Sequence, residues 1–133
     1  MSGGGKAMTT MRRAVLILDH GSRRDDANVL VATVAEQVRA RRPELHVVHA
    51  HMELAEPSFH AGVAACVAAG ATEIVVHPYF LGAGRHTLET IPALVSEARQ
   101  RHPQLSIRVG AHLGLHEKLV EVVLERIDEA IEE

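Results

Sequence analysis

Three short stretches concentrate the side chains able to do acid–base or metal chemistry. They are Asp19-His20-Gly21-Ser22-Arg23-Arg24, Glu53-Leu54-Ala55-Glu56-Pro57-Ser58, and Tyr79-Phe80-Leu81-Gly82-Ala83-Gly84-Arg85-His86. A fourth, Gly110-Ala111-His112, follows. Each carries an imidazole or a carboxylate, the donor types that suit a divalent transition metal. Imidazole also takes up and releases protons near neutral pH. The chain holds 10 histidines in 133 residues, so residue type alone does not select the chemical ones, and position has to.

His20 stands directly before a glycine, a base or ligand displayed on a tight turn. The plainer reading makes it the neighbour of a helix cap supplied by Ser22 or Asp26. Glu53 is a metal- or arginine-paired carboxylate if buried, since an isolated buried charge is costly, and a solvated loop residue if not. Glu56 is the poorer ligand, because an acid at a helix start has its own electrostatic reason to exist. His86 lies beyond Gly-Ala-Gly, on a segment mobile enough to carry a side chain over a pocket. His49 and His51 share strand parity with Glu53, which allows a metal-lined face, but both read rather as structure or pocket wall. His77, before Pro78, reads as packed, and His60, His102 and His116 as solvent-facing, while His112 stays open. Arg23 and Arg85 make the same region locally basic, and the planar guanidinium pairs bidentately with carboxylates. Arg24 reads as surface charge.

The elements that must position these residues alternate. Residues 14–18 are a continuous apolar run, as in a strand buried on both faces. Residues 26–41 repeat apolar positions at helical spacing and stop before Pro43. A second strand spans 46–52. A helix begins at Glu56-Pro57-Ser58 and ends at Gly70, and a third strand spans 73–79. Residues 87–101 are helical, with the regular part expected from about Ile91 because Pro92 belongs near a helix start. A short strand spans 106–110. A last helix, 116–132, is expected to turn Leu119, Val123, Ile127 and Ala130 inward. No long-period internal repeat is evident. The fold class is α/β: a four-stranded parallel sheet with helices on both faces, in doubly wound order with the first strand central. In such a sheet every βα turn lies on the carboxyl edge, which is where ligands bind. The four stretches therefore share one edge.

Composition removes several functions. Net charge is −3 with neutral histidines, against a nucleic-acid partner that needs a clustered basic surface. Phe59, Tyr79 and Phe80 are the only Phe, Trp or Tyr residues, too few for a base-stacking platform. No apolar run approaches the ~20 residues of a membrane span, so no membrane partner is expected. The single cysteine, Cys66, cannot close an intrachain disulfide and fits a reducing compartment, so the expected address is the cytoplasm. Residues 1–13 read as a flexible Gly-rich tail and 14–133 as one domain. No phosphate-cradling Gly-x-x-x-x-Gly-Lys loop and no Gly-x-Ser-x-Gly elbow is present.

Asp19-His20-Gly21-Ser22-Arg23, Glu53-Leu54-Ala55-Glu56-Pro57-Ser58, and Pro78-Tyr79-Phe80-Leu81 followed by Gly84-Arg85-His86 resemble, in that order and spacing, the small sirohydrochlorin chelatases of the CbiX/SirB type, over about residues 14 to 126. The resemblance implies a chelatase-like half-domain that inserts Co2+ or Fe2+ into sirohydrochlorin, toward cobalamin or sirohaem. It implies a homodimer with the macrocycle near the subunit interface. No permanently bound cofactor is implied; the metal, Co2+, Fe2+ or Ni2+, is a substrate. His20 and His86 fall on the family's metal-binding histidines and Glu53 on its acidic partner. His20 and His86 also serve as bases, and Ser22, Arg23 and Arg85 as groups for the macrocycle's carboxylates. The Leu81-Gly82-Ala83-Gly84 stretch varies within the family pattern. Two readings stay beside this one: nickel insertion into the same ring, and a non-catalytic histidine-based metal carrier. A histidine phosphatase wants arginine before His-Gly, where this chain has Asp19.

Overall fold

The computed structural model describes residues 12–132. Most of the expected tail lies outside the described residues; its last member, Arg13, instead opens the first strand. In chain order the elements are β1 (Arg13–Asp19), α1 (Asp25–Arg41), β2 (His46–His51), α2 (Phe59–Ala68), β3 (Glu73–Pro78), α3 (Arg85–Arg101), β4 (Ser106–Val109) and α4 (Glu117–Glu132). The sheet is four-stranded and fully parallel, in the order β2-β1-β3-β4. The first strand is interior, as expected, with Leu16 opposite Val48 on one side and Val76 on the other.

Alternation along β1 divides the core. Ala14, Leu16 and Leu18 face α2 and α3, among Phe59, Val63, Ile91 and Val95. Val15 and Ile17 face α1, with Val31 and Ala35. That division follows from right-handed crossovers: β1 to β2 runs one way across the sheet, β2 to β3 and β3 to β4 the other. Each fully buried branched side chain stabilises by about 1.5–3 kcal/mol. At the amino edge Glu73 is fully buried and pairs with Arg13 at 2.5 Å and Arg108 at 2.7 Å. The hydrogen bond from Arg13, with the charges of both arginines, holds its carboxyl below the ordinary range despite burial.

Three expectations need correction. First, α3 is regular from Arg85, with Pro92 inside it. Pro92 and Leu88 are both exposed, so the carbonyl deprived of its partner can be solvated. Second, α4 does not pack inward along its length: only Leu119, at its start, is half-buried. None of its residues is buried; Val123 is 57% exposed and Ile127 47%. Third, the chain does repeat. α1 and α3 each span 17 residues, begin 60 positions apart, and end at caps of nearly the same conformation. Arg39 and Arg99 donate to the carbonyls of Val47 and Ile107, at 2.6 and 2.7 Å. The residue identities behind this cluster in Arg39-Ala40-Arg41-Arg42-Pro43-Glu44-Leu45 and Arg99-Gln100-Arg101-His102-Pro103-Gln104-Leu105. With α1 and α3 on opposite faces and the order β2-β1-β3-β4, the halves are related by a pseudo-twofold running between β1 and β3.

Candidate functional site

All four strand exits are stitched together at the carboxyl edge by backbone hydrogen bonds outside the regular ladders. The Met52 and Glu53 N–H groups donate to the Asp19 and His20 carbonyls at 2.9 and 3.1 Å. Tyr79 N–H donates to Leu18 O at 2.7 Å, and Leu113 N–H to Phe80 O at 2.9 Å. The edge is therefore continuous from β2 through β1 and β3 to the loop after β4.

Gly21 is what lets the first exit lie against the second. Its φ is +88°, and a Cβ there would stand 1.8 Å from the Glu53 carbonyl oxygen. No other residue type fits such an approach. Beneath it, His51 Nδ1 and Asp19 Oδ1 are 2.6 Å apart, with the imidazole 1% exposed. This pair ties β1 to β2 directly under the His20 turn. Leu54 takes a left-handed backbone, φ 71°, an uncommon conformation that costs of order 1 kcal/mol and recurs at functional loops.

His20 itself is exposed. Its ring lies on Phe80, centroids 4.4 Å apart at 40°, and Phe80 is 6% exposed. The imidazole thus spans from the first exit to the third. A cavity of about 250 Å3 runs beside it, along Asp19, Ser22, Asn28 and Tyr79. Asn28 fixes the Ser22 turn twice, accepting from Ser22 N–H at 2.9 Å and donating to Ser22 O at 2.8 Å. Ser22 Oγ accepts from Arg24 N–H at 3.0 Å, which leaves its proton to donate elsewhere. The expected helix cap at Ser22 or Asp26 does not form: α1 is capped by Arg24 without a side-chain bond. Arg24 pairs with Asp26 at 3.1 Å, the surface charge it was read as. Arg23 and Arg85 are exposed and make no ion pair among the described residues.

Glu53 is exposed, a solvated carboxylate at the second exit. His86 sits in the first turn of α3, exposed, beyond Gly82 and Gly84, at neither of which a Cβ would meet anything within 4 Å. Among the described residues no three His, Cys, Asp or Glu side chains come close enough to hold a metal ion. The edge of one chain carries His20, Glu53 and His86 without gathering them into a ligand set.

The other histidines divide by environment. His49 lines a cavity of about 360 Å3 with Arg23, Asp25 and Glu56; its pKa is lowered by burial and then by the neighbouring His51. His77 is half-buried and also lowered by burial. His112 borders a small apolar cavity of about 180 Å3 with Phe80, Leu88 and Val109. His60 is not free in solvent but joins α2 to α3 through Glu97, at 2.8 Å. His116 caps α4, its Nδ1 accepting from Lys118 N–H at 3.0 Å. A larger cavity, about 570 Å3, lies at the opposite, amino edge against Arg12, Arg13, Arg42 and His46, away from all of this chemistry. Sequence reasoning missed Asn28, the Asp19–His51 pair and the seat of His20 on Phe80. Asn28 had a local signal, lying six residues after Ser22; the others join residues 32 and 60 positions apart.

The CbiX family model matches residues 14–130. Sirohydrochlorin ferrochelatase of Arabidopsis thaliana, a chloroplastic protein, is 38% identical over 117 residues, 88% of this chain and 52% of that protein. SirB of Bacillus subtilis, solved with Fe3+, superposes with a TM-score of 0.84 at 32% identity, over 90% of this chain and 48% of that one. A putative cobalamin biosynthesis CbiX protein from Marinobacter aquaeolei superposes with a TM-score of 0.78 at 28% identity, over 90% of this chain and 98% of that one. The chain spans about half the length of several curated relatives it matches. On that match, across nearly every described residue and all four strand exits, the chain belongs to the CbiX family.

Proposed function

We propose that this chain is a sirohydrochlorin chelatase that inserts Co2+ or Fe2+ into the macrocycle, toward cobalamin or sirohaem. The observation that carries this reading is the family match over residues 14–130 with His20, Glu53 and His86 on one sheet edge. Relatives named sirohydrochlorin ferrochelatase and sirohydrochlorin cobaltochelatase support it. The reading has residues 14–133 act as one domain, in the cytoplasm, as a homodimer. No helix among the described residues is long and apolar enough to cross a membrane.

Insertion consumes a divalent metal and a free-base ring and yields the metallated ring and two protons. His20, Glu53 and His86 deliver the metal through few protein ligands, leaving coordination positions open for the ring nitrogens. The same imidazoles, when not bound to metal, accept the departing pyrrole protons. Phe80 holds His20 at one angle, so its lone pair meets the ring in a fixed direction. Arg23 and Arg85, unpaired with any carboxylate among the described residues, take the macrocycle's own, with Ser22 Oγ–H as a further donor. The unassembled ligand set of one chain fits a cleft shared by two.

The test is anaerobic incubation with sirohydrochlorin and each of Co2+, Fe2+ and Ni2+, followed by absorbance against the spontaneous rate. His20→Ala and His86→Ala should each abolish most of the acceleration while circular dichroism stays unchanged. Wild-type rates in the double variant would remove both residues from the mechanism. Binding of metal without turnover in the wild type identifies a carrier instead.

A further inference from the structure

The cavity of about 570 Å3 at the amino edge takes no part in the chemistry proposed above, yet three guanidinium groups line it. Arg12, Arg13 and Arg42 stand there with His46, and Leu45 and Ala71 form part of its apolar wall. Arg12 makes no ion pair among the described residues. Its guanidinium lies on Gly70, where an added Cβ would stand 2.6 Å from Nη1. Arg13 and Arg42 are each bonded through Nε, to Glu73 at 2.5 Å and to Glu44 at 2.6 Å. That leaves the outer N–H groups of both forks without a protein partner among the described residues. Arg108 shares Glu73 from the other side. Four arginines therefore stand against two carboxylates, in a chain whose net charge is −3.

The internal repeat shows that the fold does not require this charge. Sixty positions on, Arg12, Arg13, Arg42 and His46 give way to Thr72, Glu73, His102 and Ser106, while Pro43 and Leu45 persist as Pro103 and Leu105. Arg42 and His102 cap their helices in the same backbone conformation, with φ −132° and −133°, so the turn itself does not call for arginine. Nor does the helix dipole. The last turns of α1 and α3 already carry Arg39 with Arg41 and Arg99 with Arg101, the favourable sign at a carboxyl end. The last turn of α2 has no basic residue, which gives Arg12 a structural use but leaves Arg42 without one. The exposed Arg42–Glu44 pair adds little stability.

We infer that this cavity binds a small molecule through a diphosphate group. Its volume falls in the range of small-molecule sites, about 300–1,000 Å3, and exceeds what a lone phosphate fills. A carboxylate offers its two oxygens in one plane and suits a single guanidinium fork. Three forks on one cavity suit an anion of higher charge whose oxygens point in several directions, which a diphosphate supplies. Leu45 and Ala71 give the organic part of such a molecule an apolar wall. A nucleic-acid backbone would need a basic stripe running on past the cavity, but the next arginine of α1 toward the chain start, Arg39, is spent on the Val47 carbonyl at 2.6 Å. Glu44 holds Arg42 in the unliganded protein and is the group the diphosphate displaces. The hydrogen bond from Arg42 keeps the Glu44 carboxyl below its ordinary range, so it stays a charged competitor at neutral pH. The site lies at the opposite end of β1 from His20, and the inference does not depend on the proposed function.

The test is calorimetric titration of the full chain with inorganic pyrophosphate, in metal-free buffer at physiological ionic strength, without macrocycle. Saturable binding is expected, with citrate, a tricarboxylate, at least about tenfold weaker. Arg12→Gln and Arg42→Gln should each weaken pyrophosphate about tenfold, the loss of a charge-assisted contact. Both variants should fold, since Arg12 holds Thr72 through its backbone and the Arg42 pair is exposed. Arg13 is left in place because it partners the buried Glu73. Glu44→Gln frees the Arg42 fork and should tighten pyrophosphate about threefold or more, a gain that misfolding does not imitate. Glu36→Gln removes the same charge from the exposed middle of α1 and should leave affinity unchanged. No saturable binding, equal binding of citrate, or equal tightening by Glu36→Gln overturns the diphosphate site. Loss of binding in Arg23→Gln with Arg12→Gln and Arg42→Gln unaffected would place the anion at the carboxyl edge and overturn it too.

Discussion

The two sides of the carboxyl edge are built on opposite principles. At the β1–β2 exits the His20 turn is pressed against the Glu53 backbone, bonded to it, and underpinned by the buried Asp19–His51 pair. At the β3 exit, Gly82 and Gly84 touch nothing within Cβ reach, and Leu81 is 71% exposed. Both contain glycines and both carry a histidine. In one the glycine is required by close approach; in the other it loosens the chain. One imidazole is held in place before any ligand arrives, while the other stands exposed in the first turn of α3, just after glycines that nothing packs against. A metal that must be gripped and then surrendered suits such a pairing, since open coordination and one adjustable ligand ease release.

Substitution at the glycines breaks the comparison most sharply. Gly21→Ala puts a methyl inside the contact distance of a backbone carbonyl and forces alanine to a positive φ. Neither side of the clash is a flexible side chain, so a loss of about 3 kcal/mol or more is expected, read as the unfolding midpoint in urea. A midpoint near wild type would mean that the first exit is as loose as the third. A smaller effect is expected one layer down. His51→Leu keeps bulk but strands the Asp19 carboxylate, which is mostly but not wholly buried; about 2 kcal/mol should be lost. The same variant should slow metal insertion more than it weakens macrocycle binding, because the turn that carries His20 loses its support. An unchanged rate would show that the backbone bonds alone hold the turn.

The same contrast marks what was legible in the sequence. The βα alternation, the interior place of β1 and the sharing of one edge by all four exits follow from hydrophobic period and right-handed crossover, which are local or topological rules. His20 and Glu53 were placed at that edge from position alone. Their tight backbone contact was not, because nothing near Gly21 announces which carbonyl will face it. The Asp19–His51 pair was half visible: His51 reads as structure or pocket wall even though strand parity aligns it with Glu53, but its partner depended on the register between β1 and β2. α4 misled for a different reason. Its spacing correctly announces an apolar face, but periodicity says only that the face must be covered, not by which molecule. The repeat was hidden because pseudo-symmetric halves need only equivalent geometry, and most of the identities that betray it cluster at one helix end and the turn after it, remote from the chemistry.

The mildest substitution sharpens the comparison from the other side. Gly84 caps α3 with φ −83° and ψ 176°, a conformation open to any residue, and a Cβ there meets nothing. In Gly84→Ala the reduced freedom of the unfolded chain stabilises by about 0.4–1 kcal/mol. Alanine's poorer fit at a helix cap offsets part of that. The net change in unfolding free energy should stay within about 0.5 kcal/mol, some sixfold below the cost at Gly21. Stiffening should instead appear in kinetics: metal insertion slowed about twofold, with macrocycle affinity unchanged, if His86 must move to deliver or release metal. A large loss of stability would show the third exit to be as tightly packed as the first. An unaltered rate at unaltered stability would mean that His86 acts from a fixed position, and the division between a rigid and an adjustable imidazole would fall.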